Sequence, residues 1–132
     1  MSALCVVALG LAALEGCTTA RSGGSGGGSS SGDAEGLYSQ AKTEFDTGDF
    51  GAAERHSVEL LNTYPDFPKS DEVLYMAVKS SHASGSYTET VKHVQRSPEK
   101  LEVSPYRDDM LVLAADAYEQ LGMYYESADV LS

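Results

Sequence analysis

The chain contains no tryptophan, two cysteines and four prolines, and sets nine basic residues against twenty acidic ones. Each shortage removes a class of explanation. Both cysteines, Cys5 and Cys17, lie ahead of the charged part of the chain. Residues 33–132 therefore offer no disulfide framework and no thiolate metal site. Their fold must rest on apolar packing, over about 100 residues, which is enough for one small core. The formal net charge is −11, and every charge except Glu15 and Arg21 lies from Asp33 onward. That balance argues against nucleic acid, whose phosphates need a basic face. It argues equally against lying flat on an anionic lipid surface. A solvated acidic surface accounts for it, and so does an acidic groove for a basic or polar peptide.

The longest apolar run, Ala3 to Leu14, is shorter than the roughly 20 residues a spanning helix needs. It fits the core of a signal peptide. Leu14-Glu15-Gly16-Cys17 follows and resembles a bacterial lipobox, in which a small residue precedes a cysteine that becomes the lipidated first residue. Glu15 departs from that pattern, and no Lys or Arg precedes the apolar run. An ordinary secretory signal is the alternative. Ser22 to Gly32 is only glycine and serine, a composition that buries no core and forms a flexible tether. From Cys17 to Asp33 such a tether spans roughly 20 to 24 Å. The expected organisation is a signal peptide over 1–16, a lipidated Cys17 with its tether over 17–32, and a folded unit over 33–132.

What fills that unit is a repeat. Leu37, Leu74 and Leu111 lie 37 residues apart, as do Gly48, Gly85 and Gly122. Phe50, Tyr87 and Tyr124 keep the same interval, and so do the small residues Ala53, Thr90 and Ser127. Ala41, Val78 and Ala115 follow the leucines by four, and Pro68 and Pro105 precede the second and third units. A fixed period of this size marks a stack of supersecondary units. Leu37, Ala41 and Phe45 have helical spacing, and Gly48 ends the helix. Phe50, Ala53, Leu60, Leu61 and Tyr64 make a second helix that Pro65 stops. Each unit is thus an antiparallel helix pair. In the second unit Ser70 is the expected N-cap, with Asp71 and Glu72 in the first turn. In the third, Leu111, Ala114, Ala115, Tyr118 and Leu121 share a side. Pro98 falls in the column of Leu61, so the second helix of the middle unit should break there. A short helical turn, capped by Ser97, should run on to about Val103. The fold class is all-α, a stack of about three antiparallel helix pairs with the last incomplete.

The pattern Leu37-Tyr38-x-x-Ala41 … Gly48-Asp49-Phe50-x-x-Ala53 … Leu60-Leu61-x-x-Tyr64-Pro65 … Pro68 resembles a tetratricopeptide repeat. With the lipobox-like segment, its Leu-Tyr opening and Tyr-Pro-x-x-Pro closing are similar to the BamD (YfiO) family. Those are outer-membrane lipoproteins of the machinery that assembles β-barrel proteins. The YbgF/CpoB group, periplasmic scaffolds for cell-envelope and cell-division work, shares the repeat style. The resemblance implies a binding protein rather than an enzyme, without cofactor, lipid-anchored at the periplasmic face of the outer membrane. It also implies a groove lined by the first helices. Carried onto this chain, the groove rows are Glu35, Glu72 and Asp109; Tyr38 and Tyr75; Lys42, Lys79 and Asp116; and Phe45, His82 and Glu119. The tyrosines fit packing between repeats as well as they fit ligand contact. Family members carry more repeats than the three read here, and the sequence stops within what would be a sixth helix, at Leu131-Ser132. A truncated product or fragment is expected, or a remnant without function of its own, with an apolar end that frays or self-associates.

Other constellations are weak. His56 and His93 occupy one repeat column, neither begins a His-x-x-x-Glu pair, and surface positions are expected for them and for His82. Gly-x-Ser-x-Gly occurs only within the glycine–serine tether, where composition alone produces it and no strand precedes it, and the tether lacks Gly-Lys-Ser/Thr. Asp108-Asp109 at a helix start is explained by the helix dipole.

Overall fold

The computed structural model describes residues 31–132. The signal segment, Cys17 and the tether up to residue 30 lie outside the described residues. The described chain forms seven helices and no strand: α1 (Ser31–Thr47), α2 (Phe50–Thr63), α3 (Ser70–Ala83), α4 (Tyr87–Gln95), α5 (Pro98–Val103), α6 (Arg107–Gln120) and α7 (Tyr124–Val130). The second helices begin at Phe50, Tyr87 and Tyr124, which keeps the 37-residue interval of the sequence. The fold is all-α, with stacked antiparallel pairs α1–α2, α3–α4 and α6–α7.

The three glycines make the pairs possible. Gly48, Gly85 and Gly122 have φ of 83°, 77° and 76°, a region in which a Cβ is strained. Each closes the same Schellman motif. Gly48 N–H donates to Phe45 O at 3.2 Å and Asp49 N–H to Glu44 O at 2.8 Å. The bonds recur as Gly85 to His82 and Ser86 to Ser81, then as Gly122 to Glu119 and Met123 to Tyr118. Helix-end carbonyls are satisfied identically three times, and the chain reverses each time.

The small-residue columns mark where helices cross. Ala41, Ala53, Thr90 and Ser127 are all buried. One core cluster joins Ala34, Ala41, Leu60, Phe67, Val73 and Met76. A second joins Leu74, Val78, Val94, Met110 and Ala114 between the second and third units, and Val91, Ala117 and Tyr118 make a third. The column one residue before the leucines proves as important as the leucines. Val73 and Met110 are fully buried, whereas Leu37 and Leu111 are half-buried. Val73, Met76, Ala77 and Ser80 form a stripe on α3 that packs back towards the preceding unit, and Met110, Leu113, Ala114 and Ala117 repeat it on α6. The corresponding positions of α1 are Gly36, Ser39, Gln40 and Thr43, all exposed. The first edge of the stack is therefore polar, as the ends of repeat stacks need to be.

The break at Pro98 falls as expected. α4 ends at Gln95 and α5 runs from Pro98 at its first turn to Val103. Three local expectations are corrected. Ser70 is the first helical residue of α3; Lys69 holds the cap position and makes no side-chain capping bond, which leaves Asp71 and Glu72 in the first turn to complement the helix dipole. Ser97 takes the cap position of α5 but its side chain makes no capping bond. Leu121 is exposed beyond the end of α6.

Candidate groove of the first helices

The first helices α1, α3 and α6 lie side by side, and the expected rows meet across their junctions. Tyr38 of α1 donates its hydroxyl to Glu72 Oε2 of α3 at 2.9 Å. Burial, and then the hydrogen bond to the Glu72 carboxylate, push the Tyr38 phenol up to about 12. Phe45 of α1 lies 5.8 Å from Lys79 Nζ and 6.5 Å from the Tyr75 ring. One repeat further on, Phe45 is replaced by His82 and Lys79 by Asp116, and these two meet at 2.5 Å, Nε2 to Oδ2. The same junction is thus made once by a cation over a ring and once by an imidazole with a carboxylate.

Tyr75 of α3 contacts both neighbouring units, Phe45 on one side and Tyr106 on the other. Its ring stacks on Tyr106 with centroids 4.8 Å apart and planes 15° from parallel. Lys79 Nζ donates to Tyr75 Oη at 3.2 Å and lies 5.5 Å from that ring. Tyr75, Lys79, Asp109, Val112 and Leu113 line a notch between α3 and α6. Asp109 occupies the column of Glu72, and its shorter carboxylate is exposed at the rim.

Not every row member takes part. Lys42 pairs along its own helix with Asp46 at 2.9 Å, which raises its ammonium above the usual range. Glu35 is exposed, and Glu119 is exposed and accepts the Ser127 hydroxyl at 3.2 Å. Lys42, Lys79 and Asp116 make no row of mutual contacts.

Two participants escaped the expected rows. Lys69 Nζ sits 4.4 Å over the Tyr38 ring, and Tyr106 stacks on Tyr75. These residues directly follow Pro68 and Pro105 and are themselves 37 apart. Each covers the groove tyrosine of the preceding unit. The period that located the tyrosines therefore also located their covers. The third member of the tyrosine column is Val112, which is exposed.

The histidines differ from expectation. His93 is buried, its Nε2 2.8 Å from Glu54 Oε1 on the second helix of the previous unit. His56 is half-buried, its Nδ1 2.6 Å from Glu44 Oε2. All three histidines bind a carboxylate on another helix, so they join helices rather than decorate a surface. Among the described residues no group of three or more His, Cys, Asp or Glu could hold a metal ion. No described helix is long and apolar enough to cross a membrane.

Comparison of the chain with protein-family models, with curated proteins and with solved structures gives no match.

Proposed function

We propose that this protein is a membrane-anchored periplasmic scaffold that binds protein segments along its first-helix groove, in the manner of tetratricopeptide lipoproteins of β-barrel assembly. The observation that carries the binding role is the notch between α3 and α6. It combines a stacked tyrosine pair, an ammonium, an apolar wall of Val112 and Leu113, and the exposed Asp109 carboxylate. Apolar area ringed by a few oriented polar groups is what peptide recognition uses. The assembly role rests on the repeat pattern joined to the lipobox-like Leu14-Glu15-Gly16-Cys17. Cys17 would hold the chain at the membrane, and the glycine–serine tether would let the groove reach its partner. The groove would bind and orient, with no bond made or broken.

Affinity capture from envelope extracts tests this. The wild-type chain should retain β-barrel outer-membrane proteins or their assembly factors, and Asp109→Lys with Val112→Glu should lose them. Retention of cell-division or peptidoglycan-linked proteins instead would assign the chain to envelope coordination. Retention unchanged by the double variant would remove the groove from the account.

A further inference from the structure

Two charges on the notch between α3 and α6 have no opposite charge beside them. Lys79 Nζ reaches the Tyr75 hydroxyl and two rings, but no carboxylate among the described residues. Asp109 makes no hydrogen bond or ion pair with a described residue. The repeat columns give the reason. Lys42, in the column of Lys79, pairs with Asp46 four residues on, whereas the residue four after Lys79 is Ala83. Across the junction the residue in register with Lys79 is Asp116, which His82 already holds. The residue in register with Asp109 is Glu72, which the Tyr38 hydroxyl already holds. A chain with twenty acidic residues thus keeps a free ammonium and a free carboxylate on the rim of one notch.

Between the two charges the wall is apolar. Tyr75 lies one turn before Lys79 on α3, and Val112 and Leu113 lie one turn after Asp109 on α6. Repeat register puts Asp109 about two turns, roughly 10 Å, before the level of Lys79 along the helices. Neighbouring helix axes add about 8 to 10 Å across. An extended chain rises about 3.3 Å per residue, so the diagonal takes about four residues. Stacking of a following unit does not close this face. α6 packs after the junction of α1 with α3, and Lys69 and Lys79 remain exposed there.

We propose that the notch selects an extended protein segment whose acidic and basic side chains lie about four residues apart, with apolar residues between them. The acid meets Lys79, the base meets Asp109, and the apolar residues lie on Tyr75, Val112 and Leu113. This selection rests on the groove being the binding surface, and it names what the groove takes. An all-basic segment, which the net charge of −11 favours at long range, sets a cation against Lys79. An all-acidic segment sets an anion against Asp109.

Five labelled peptides test it by fluorescence anisotropy against the full chain. They share an apolar centre and differ at the two flanking positions: acid then base, base then acid, both acid, both base, both uncharged. The better mixed peptide should bind at least about threefold tighter than the like-charged and uncharged ones. That margin should shrink in high salt. Asp109→Lys should move the preference to the all-acidic peptide, and Lys79→Glu to the all-basic one. Both residues are exposed, and unchanged melting checks that each variant keeps its fold. Glu59→Gln, exposed on α2, should change nothing, and Val112→Glu should weaken all five. Tightest binding of the all-basic peptide to the parent would overturn the proposal, because bulk charge would then decide. A ranking that neither charge variant shifts would overturn it too. In both cases, loss of binding in Val112→Glu would leave the groove as the binding surface. Binding indifferent to Val112→Glu, or no saturable binding at millimolar peptide, would remove the groove as well.

Discussion

Leu74 and Leu111 are the same residue in the same repeat column, yet truncating them should cost different amounts. Leu74 is fully buried and packs among Val78, Val94, Met110 and Ala114. Leu74→Ala removes three carbon atoms from a site closed on all sides, so both the transfer term and the cavity term apply, about 2 to 5 kcal/mol. Leu111 is half-buried at the end of the stack, and solvent enters any space it leaves. Its truncation forfeits less area and leaves no closed cavity, so roughly half that cost or less is expected. A domain of this size has a total stability of about 5 to 15 kcal/mol, so Leu74→Ala spends a large part of it. At about 4 to 8 °C per kcal/mol, thermal melting separates the two variants without difficulty. Urea unfolding followed by circular dichroism gives the free energies directly. Equal losses would refute the reasoning, because burial would then not decide what a position in the repeat column is worth.

Three further outcomes follow from the geometry. Gly85→Ala should destabilise by about 1 to 2 kcal/mol from backbone strain alone, since a Cβ there meets no atom within 4 Å; a melting temperature equal to the parent's would contradict the left-handed turn. The raised Tyr38 phenol favours the protonated form in the folded state. Its contribution is therefore complete below the ordinary tyrosine value of 10.0 and is lost as pH climbs through about 12, so the stability gap between wild type and Tyr38→Phe should narrow over that interval. A gap that stays constant to pH 12 would contradict the raised Tyr38 phenol. Cys17→Ser should release the protein from membranes, and mass spectrometry of the parent should find a diacylglyceryl group on Cys17; an intact peptide spanning Glu15 to Thr19 would exclude lipidation.

Much of the fold was legible because it is written in residues with narrow conformational options. Only glycine takes positive φ without strain, so Gly48, Gly85 and Gly122 announced the reversals. Proline cannot sit inside a helix, so Pro98 announced the break between α4 and α5. Partners were harder to read. The burial of His93 depends on Glu54, 39 residues earlier and on another helix, and nothing local to His93 signals it. The pairing of Lys69 with Tyr38 and of Tyr106 with Tyr75 was written in the period, but in the connector after each proline rather than in the helices. Val73 and Met110 were masked by the neighbouring leucines, because adjacent apolar residues leave the inward-facing one undecided until helices pack.

The groove is the centre of the functional account, and site-specific photo-crosslinking in intact cells tests it most directly. A photoreactive residue placed at Asp109, on the rim of the notch, should crosslink to a β-barrel outer-membrane protein or its assembly factor, while one at Glu59 on α2 should not. Equal crosslinking from both positions, or none from Asp109, would contradict the assignment of the first-helix groove as the binding surface.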